Sequence, residues 1–240
     1  MRVSYCIPTH DHARCEQYMF DILYPLSKQT FKDFEICVSH QGDQTRILRA
    51  LNDYWDILNI TFKKAEEGNI SVNTNNAMKM GEGDIIKVLY SDDFILTTNL
   101  TEELDKAFTP EVSWAVTGFA HTLDNGQTHY NPKLPVYNDR LLEGVNTLSS
   151  PSILAVRNGI EEYFDEHLVM LMDCDMYYRL YTMLGDPVVL KDIHISNREH
   201  QNQTQRSNEH LIPDEIDYLR KKVHEYDYRI QPSRKTWKTG

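Results

Sequence analysis

The amino-acid sequence predicts an α/β protein with a mostly parallel central sheet flanked by helices. Short apolar runs of strand length alternate along the chain with longer segments in which apolar residues recur at helical spacing. Strands that alternate with helices are joined by right-handed crossovers, and such connections produce a parallel sheet. With 240 residues and 40% hydrophobic content, the chain is long enough for one large domain of this class.

The first half of the chain repeats a strand-and-helix unit. The predicted strands cover residues 3–7, 34–39, 60–63 and 84–89. The predicted helices cover residues 15–26, 47–58 and 72–80. Pro8 is expected to end the first strand, because proline has no N–H group to donate to a neighbouring strand.

The second half of the chain is less regular. Thr98 or Asn99 caps a predicted helix that ends at Phe108, and Pro213 opens a last amphipathic helix. Residues 120–146 lack periodicity and are rich in Asn, Gly, Pro and Tyr, which predicts long loops over one face of the sheet. Further strands are predicted at residues 112–119, 152–156 and 187–195, and a further helix at residues 175–184.

The composition excludes several classes of protein. Acidic residues number 36 against 25 basic ones, and a net charge of −11 repels nucleic acid. The four cysteines show no CxxC spacing, no secretory signal precedes the first strand, and no apolar run is long enough to cross a bilayer. These features predict a cytoplasmic protein with free thiols. Basic residues at the end of the chain either make weak peripheral contact with an anionic membrane or form a solvated tail. They are Arg229, Arg234, Lys235 and Lys238.

Two acidic residues follow a predicted buried strand at the point where it ends. Asp92 and Asp93 come just after the apolar run of residues 85–89. In open α/β sheets, ligands bind at the carboxyl ends of the strands. Carboxylate oxygens at this edge suit Mg²⁺ or Mn²⁺, which commonly lies between protein carboxylates and substrate phosphates. Aspartates also favour turns, so on the pair alone both interpretations stay open.

Three segments together resemble a known enzyme family. Residues 6–11 are similar to the family's I-P-T-x-N opening, and the second strand ends in a polar turn at residues 38–42. Residues 83–93 are similar to its G-E-Y-I-x-F-L-D-x-D-D block. In this order and spacing, the chain resembles the family-2 glycosyltransferases of GT-A fold over roughly residues 2–204.

The resemblance implies both an architecture and an activity. The architecture is a GT-A-type, Rossmann-like single domain in residues 1–205, with a nucleotide-sugar half in residues 1–95 and an acceptor half in residues 96–205. Residues 206–240 then add an amphipathic helix and a basic tail. The activity is the inverting transfer of a sugar from a nucleoside-diphosphate-sugar to a hydroxyl of a glycan or polysaccharide acceptor, with Mn²⁺ or Mg²⁺.

Two later matches imply a catalytic base and a metal ligand. Residues 173–179 resemble the family's E-D-x-D-L-W-x-R segment, in which the first Asp of D-x-D is the base, and that residue is Asp173. An Asp at a helix start is also a common cap, so this alternative stays open, and Asp175 is the next candidate base. Residues 197–203 resemble the closing R-x-H segment, whose His completes the metal or diphosphate site, and that residue is His200.

The match to the acidic block implies how the metal is held. Tyr90 stands where the first Asp of the family's D-x-D motif usually lies. Asp92 is therefore the predicted direct metal ligand, together with His200, and Ser91 is a predicted ribose or phosphate contact. Asp93 is predicted to support the turn from behind.

The ends of the first two strands are the predicted nucleoside site. His40 replaces the Asp that often reads the donor base in the family. Asn69 and Asn75, in an Asn-rich helix start, are predicted to meet ribose and phosphate, although helix capping explains part of this pattern. The predicted contacts to base and ribose are Pro8, Thr9, Asp11 and His40.

Acceptor recognition is assigned to aromatic and His side chains, with packing as the alternative. These candidates are His121, His129, Tyr130, Tyr137, Tyr177 and Tyr178.

Two rival functions stay open. A sugar nucleotidyltransferase needs a Gly-rich, basic phosphate loop, and residues 8–14 contain no Gly. A non-catalytic carbohydrate- or nucleotide-binding protein on the same fold is the other, prompted by Tyr90 and His40.

Overall fold

The computed structural model describes residues 1–123, 126–199 and 208–234, with side chains through residue 223. The strands are β1 Val3–His10, β2 Phe34–Gln41, β3 Ile60–Lys64, β4 Ile85–Val88, β5 Phe94–Ile95, β6 Trp114–Leu123, β7 His129–Lys133, β8 Leu154–Arg157 and β9 Val188–Glu199. The α-helices are α1 Cys15–Ser27, α2 Thr45–Asn52, α3 Ile70–Met78, α4 Leu100–Ala107, α5 Met172–Leu184 and α6 Ile212–Arg234. Short 3₁₀ turns lie at Asp139–Glu143, Pro151–Ile153 and Glu209–Leu211.

The strands within the described ranges form one mixed sheet. Its order is β3-β2-β1-β4-β8-β6-β9-β5, and β7 pairs with β6 at the side. Strands β3, β2, β1 and β4 are parallel to one another, and β9 is parallel to β6, whereas β8 is antiparallel to both of its neighbours. The predicted α/β class, with a central sheet flanked by helices, is confirmed.

Burial explains why the strands of the parallel half could be predicted from the sequence. Seven of the eight residues of β1 and of β2 are buried, as are all four of β4. Helix α1 contributes a buried face to this layer, formed by Cys15, Tyr18, Met19, Ile22, Leu23 and Leu26. The four cysteines are free and buried, as predicted. No helix among the described residues is long and apolar enough to cross a membrane.

Pro8 does not end the first strand, which continues to His10. Alternate residues of a strand face the same neighbour. The Cys6 carbonyl accepts a hydrogen bond from the N–H of Leu89, just past the end of β4. Position 8 therefore faces the region beyond β4, where no strand needs a donor, and proline costs no ladder hydrogen bond there.

Other boundaries also differ from the prediction. Helix α2 ends at Asn52, so the side chain of Trp55 is 42% exposed and Leu58 packs from a loop. Residues 120–146, predicted as loops, contain the end of β6 and all of β7, whose side chains are exposed and therefore lack apolar alternation. Helix α5 begins at Met172, three residues earlier than predicted, which places Asp173 inside its first turn.

One buried carboxylate holds the amino ends of three strands together. Oε1 of Glu35 accepts hydrogen bonds from Ser4 Oγ at 2.7 Å and from the N–H groups of Glu82 and Gly83 at 2.7 and 3.0 Å. Oε2 accepts one from the Arg2 guanidinium at 2.8 Å. The carboxylate thus joins β1, β2 and the turn before β4, at the sheet edge where these parallel strands begin.

We expect Glu35→Gln to lower the free energy of unfolding by about 2 kcal/mol, measured by urea unfolding, because an NH₂ group then replaces one acceptor oxygen and leaves donors unpaired. The exposed neighbour Glu82 supplies the control, and Glu82→Gln should change the value by less than about 0.5 kcal/mol. Equal effects in both variants would show that the Glu35 carboxylate is not the tie between these strands.

Candidate functional site

The ends of β1, β2 and β4 bring polar residues to one edge of the sheet, which we call the carboxyl edge. It comprises residues 9–11, 40–43 and 90–93. Thr9 is the register partner of His40 in the parallel β1–β2 pair, and the Asp11 N–H donates to the Gln41 carbonyl at 2.8 Å. Because parallel strands end together, this edge is where ligands bind in open α/β sheets.

The turn of residues 90–93 separates its two carboxylates. The Asp93 side chain is only 4% exposed, and its Oδ1 accepts a hydrogen bond from the Arg198 N–H at 3.1 Å. Its Oδ2 lies 3.1 Å from Ser150 Oγ. Burial and the neighbouring Asp92 charge raise the pKa of Asp93 to about 7, against the lowering effect of these hydrogen bonds. The Asp92 side chain is half-buried, so Asp93 supports the turn and Asp92 is the more accessible carboxylate.

Arg198, near the end of β9, fastens the turn to the rest of the edge. Its Nε donates to the Asp92 carbonyl at 2.7 Å, and its Nη2 lies 2.5 Å from Asp21 Oδ2 on α1. The guanidinium carbon lies 4.0 Å from the centre of the Tyr18 ring and 4.1 Å from that of Phe94. A cation between two aromatic rings and fixed by hydrogen bonds is held in one orientation.

Asp173 is held at the start of α5. Its Oδ1 accepts a hydrogen bond from the Cys174 N–H at 2.7 Å, and its Oδ2 accepts one from Asn146 Nδ2 at 2.6 Å. Burial raises the pKa of Asp173 to about 6, against the lowering effect of both bonds. The bond to Cys174 resembles a helix cap, so the capping role that was the alternative for Asp173 accounts for part of what this side chain does. A carboxyl with this pKa is also a stronger base than an ordinary Asp and is still ionised at neutral pH.

A loop between β7 and β8 joins Asp173 to the acidic turn. Asn146 Nδ2 donates to the Ser149 carbonyl at 2.7 Å as well as to Asp173. Asn197 Nδ2 donates to Ser149 Oγ at 2.6 Å, and Ser150 Oγ lies 2.9 Å from Asn197 Oδ1. Since Ser150 also contacts Asp93, the two carboxyl groups belong to one hydrogen-bonded assembly.

Sequence reasoning missed these connecting residues. Asn146, Ser149 and Ser150 are short polar residues in a loop, Asn197 lies on β9, and no spacing relates them. The one available signal was position, because Asn197 precedes Arg198 in the R-x-H match.

Asp175, the next candidate base, is not available for that role. Its side chain is 2% exposed, with Oδ2 accepting from Arg179 Nε at 2.8 Å and Oδ1 pairing with Lys222 Nζ at 2.7 Å. Both carboxylate oxygens are therefore engaged with cations inside the protein.

Two buried polar atoms at the carboxyl edge have no hydrogen-bond partner among the described residues. They are Thr9 Oγ1 and His40 Nδ1, on register partners of β1 and β2. His40 Nε2 lies 2.9 Å from the Asp43 carbonyl, an acceptor, so Nε2 carries the proton and Nδ1 presents a lone pair. Burial lowers the pKa of His40, which keeps the ring neutral. Orphaned buried polar atoms are uncommon, and here they mark a place where a ligand can supply partners.

The other predicted donor residues have different surroundings. Asp11 forms an ion pair with Arg46 at 2.9 Å, on the exposed side of the edge. Pro8 lies buried within β1, and Ser91 is buried in the turn. His200 lies outside the described residues, so its predicted role as a metal ligand stays a prediction.

Asn69 and Asn75 have protein partners where ribose or phosphate contacts were predicted. Asn69 Oδ1 caps α3 by accepting from the Val72 N–H at 3.0 Å, and its Nδ2 donates to the Glu166 carbonyl at 2.7 Å. Asn75 is buried, donating to the Phe164 carbonyl at 2.8 Å and accepting from the Phe164 N–H at 2.9 Å. Both amides anchor residues 164–166 to α3.

The predicted acceptor residues divide into three groups. Tyr177 is fully buried against Trp114, with its hydroxyl donating to the Ser150 carbonyl at 3.1 Å, and Tyr178 is 8% exposed, so both belong to the core. The Tyr137 ring stacks on the Tyr181 ring at 3.5 Å. The remaining candidates lie on the β6–β7 hairpin beside β9, with His121 near Glu199, His129 near Ser196, and Tyr130 38% exposed.

A separate group of two carboxylates and one His lies nearer the start of β9. Atoms of Glu103, Asp192 and His194 lie within 4.8 Å of one another, close enough to hold a metal ion. His194 precedes Arg198 by four residues, which is about 13 Å along a strand. Both His194 ring nitrogens already have partners, Thr97 Oγ1 at 2.6 Å and Glu103 Oε2 at 2.9 Å.

Comparison with known proteins connects this fold to nucleotide-sugar complexes. No family model and no curated protein sequence matches the chain. Staphylococcus aureus TarS 1–349, solved in complex with UDP-GlcNAc, matches 86% of this chain with a TM-score of 0.64 and 21% identity. The same protein with UDP matches 83% with a TM-score of 0.62 and 25% identity. The mannosyltransferase PcManGT from Pyrobaculum calidifontis, in complex with GDP-Man and Mn²⁺, matches 86% with a TM-score of 0.60 and 14% identity.

These likenesses show a shared fold. The chain spans 61% of the TarS 1–349 chain in both complexes and 59% of the PcManGT chain. The chain therefore shares the fold of these structures over most of its own length.

We expect Arg198→Lys to lower the free energy of unfolding by about 2 kcal/mol, measured by urea unfolding, because an ammonium group cannot stack between two rings and bridge Asp92 and Asp21 together. Arg49→Lys, at a guanidinium that is 65% exposed, is the matched control and should be nearly neutral. If both variants unfold at the same urea concentration, Arg198 does not fasten the turn.

Proposed function

We propose that this chain is a glycosyltransferase that moves a sugar from a nucleoside-diphosphate-sugar to a hydroxyl of a glycan or polysaccharide acceptor, with inversion at the anomeric carbon. The observation that carries the proposal is the pairing of Asp173 with the acidic turn in one hydrogen-bonded assembly at the carboxyl edge. The shared fold with chains solved in complex with UDP-GlcNAc and GDP-Man supports the choice of donor class.

Asp173 acts as the general base of the transfer. Its carboxylate takes the proton of the acceptor hydroxyl as that oxygen attacks the anomeric carbon. The bond from the anomeric carbon to the diphosphate breaks on the opposite face, and the electron pair leaves with the nucleoside diphosphate. The hydrogen bonds from Asn146 and Cys174 hold the carboxylate in place, which is the positioning that this chemistry requires.

The nucleoside of the donor lies at the ends of β1 and β2. His40 Nδ1 accepts an N–H from the base, and the Thr9 hydroxyl supplies a neighbouring donor or acceptor. Both atoms are closed to solvent, so the base reaches them when neighbouring side chains move. Pro8 and Ser91 complete the floor beneath ribose and phosphate.

A divalent cation fits the chemistry of the acidic turn. Burial and, after it, the neighbouring Asp92 charge raise the pKa of Asp93, and a cation at the accessible Asp92 would relieve the repulsion between the two carboxylates. Asp92 would hold Mn²⁺ or Mg²⁺, with His200 as the second protein ligand implied by the resemblance. When bound, the ion neutralises negative charge that develops on the departing diphosphate.

We expect UDP or GDP to bind about 10-fold more tightly with Mn²⁺ than without it, measured by calorimetry, because metal and diphosphate share ligands. Asp92→Asn should remove most of this coupling, whereas Asp93→Asn should keep it. Equal nucleotide affinity with and without Mn²⁺ or Mg²⁺ would refute metal assistance, and equal losses in the two variants would mean that Asp92 is the wrong carboxylate.

For the base, we expect Asp173→Asn to lower turnover at least ~10²-fold while nucleotide binding stays within about twofold of the unsubstituted protein. Asn caps a helix nearly as well as Asp, so the melting temperature should change little. In the unsubstituted protein kcat/KM should rise with pH through about 6 and then level off, because Asp173 must be ionised to accept the proton. Unchanged turnover in the Asn variant would sink the assignment of Asp173, whereas an absence of turnover in the unsubstituted protein would favour a non-catalytic binding protein.

A further inference from the structure

Helix α6 inserts a carboxylate beneath the start of α5. Glu215, in the first turn of α6, is 7% exposed. Its Oε1 accepts a hydrogen bond from the Val169 N–H at 2.9 Å, and its Oε2 accepts from the N–H groups of Met170 and Leu171 at 2.9 and 2.8 Å. One side chain therefore satisfies three consecutive backbone donors.

The start of α5 depends on an outside acceptor. The first N–H groups of a helix and of the chain just before it have no partner within the helix. Leu171 is the residue at which α5 is capped, and it supplies no side-chain hydrogen bond. Glu215 provides the acceptor from 44 residues away in the sequence. A negative charge at this position is also favoured by the dipole of α5.

A second contact ties α6 to the body of α5. Lys222 Nζ lies 2.7 Å from Asp175 Oδ1 and 2.6 Å from Asp165 Oδ2. The Tyr218 hydroxyl also donates to Asp165 Oδ2, at 2.9 Å. Lys222 thus joins the first turn of α5 to the segment that precedes it. Its partner in that turn, Asp175, lies two residues after Asp173.

A third contact reaches the partner of Asp173. Gly144 ends the 3₁₀ turn with φ +80°, and a Cβ there would lie 3.2 Å from the side chain of Ile216. Asn146, two residues later, donates to Asp173. Helix α6 therefore packs against both elements that hold the proposed base, the start of α5 and the segment that leads to Asn146.

We propose that Glu215 is a positioning residue for the transfer reaction, fixing the start of α5 so that Asp173 meets the acceptor hydroxyl. The proposal rests on the proposed function, because it assigns α6 to the same site. Glu215 touches neither donor nor acceptor and acts through the backbone of residues 169–171. A displacement of about 1 Å at a reacting group is enough to cost up to ~10²-fold in rate.

The first test is amide hydrogen exchange of the full-length chain in Glu215→Gln. Gln keeps the size of the side chain but turns an NH₂ group toward backbone donors, leaving at least one unpaired. We expect the amides of residues 169–171 to exchange at least ~10-fold faster than in the unsubstituted protein. Asp214→Asn is the matched control, since it removes the same charge at the exposed neighbouring residue, and it should not alter these amides. Equal exchange in both variants overturns the proposal.

The second test separates positioning from general stability. With UDP-GlcNAc as donor and release of UDP as the readout, Glu215→Gln should lower kcat about 10-fold or more and leave the donor KM within about twofold. In an Asp173→Asn background, the same substitution should have no further effect on kcat, because it acts through that carboxylate. An additive loss, or a parallel loss of UDP binding, contradicts the proposal.

Failure of the proposed function gives a different pattern. If Asp173 is not the base, Asp173→Asn keeps its turnover while the exchange of residues 169–171 still responds to Glu215→Gln. If Glu215 does not position α5, the exchange is unchanged while Asp173→Asn still loses turnover.

A second variant, Lys222→Met, covers the case in which Glu215→Gln does not fold. Its control is Lys221→Met, at the exposed neighbouring residue. Faster exchange at residues 169–175 in Lys222→Met alone supports the proposal, and equal exchange opposes it.

Discussion

The loop of residues 146–152 is the connection on which the arrangement of the site depends. It reaches one carboxyl group through Asn146 and the other through Ser150, although these groups lie 80 residues apart in the sequence. Asn197 on β9 fastens the middle of the loop through Ser149. Without these hydrogen bonds, the turn after β4 and the start of α5 would be two separate surface features. With them, the two carboxyl groups are held by one set of hydrogen bonds.

The loop is held from beneath by a buried lysine. Lys87, in the middle of β4, donates from Nζ to the carbonyls of Val88 and Ser152, and Ser152 Oγ accepts from the Tyr90 N–H at 2.9 Å. Burial lowers the pKa of Lys87 to about 7, although the charge of Asp93 acts in the opposite direction. Placing an ammonium group in a strand interior is unfavourable unless nearby groups compensate for it. Here the compensating acceptors are the carbonyl of Val88, just before the acidic turn, and that of Ser152 in the loop, so the lysine ties these two segments together.

The parts of this structure that could be predicted from sequence are those encoded by local periodicity. Buried strands such as β1 and β2 show continuous apolar runs, so their existence follows from composition over a few residues. Strand β7 could not be found in this way, because all five of its side chains are exposed and only its pairing with β6 makes it a strand. The prediction that Pro8 ends the first strand was wrong for a related reason, because the effect of a proline depends on which neighbouring strand its position faces.

The same distinction between local patterns and distant partners applies to the residues of the candidate site. Asp92 and Asp173 could be predicted as site residues because they lie in recognisable motifs, whereas Asn146, Ser150 and Arg198 contact partners 27 to 106 residues away. No local pattern records such pairs. Asn69 and Asn75 show the same limit, because the composition of a helix start gives residue types and positions without giving the partners that their amides have within the protein.

The shared fold does not specify a nucleotide, since structures with UDP-GlcNAc and with GDP-Man both match this chain. On the proposed function, discrimination between nucleotides must therefore come from side chains at the ends of the strands. The family resemblance places a carboxylate where this chain has His40, and the difference has a physical consequence. A carboxylate offers two charged acceptor oxygens, whereas a neutral imidazole with Nε2 bonded to Asp43 offers one lone pair at Nδ1. On the proposed function, His40 can accept a single N–H from a base, and Thr9 must supply whatever second contact distinguishes one base from another.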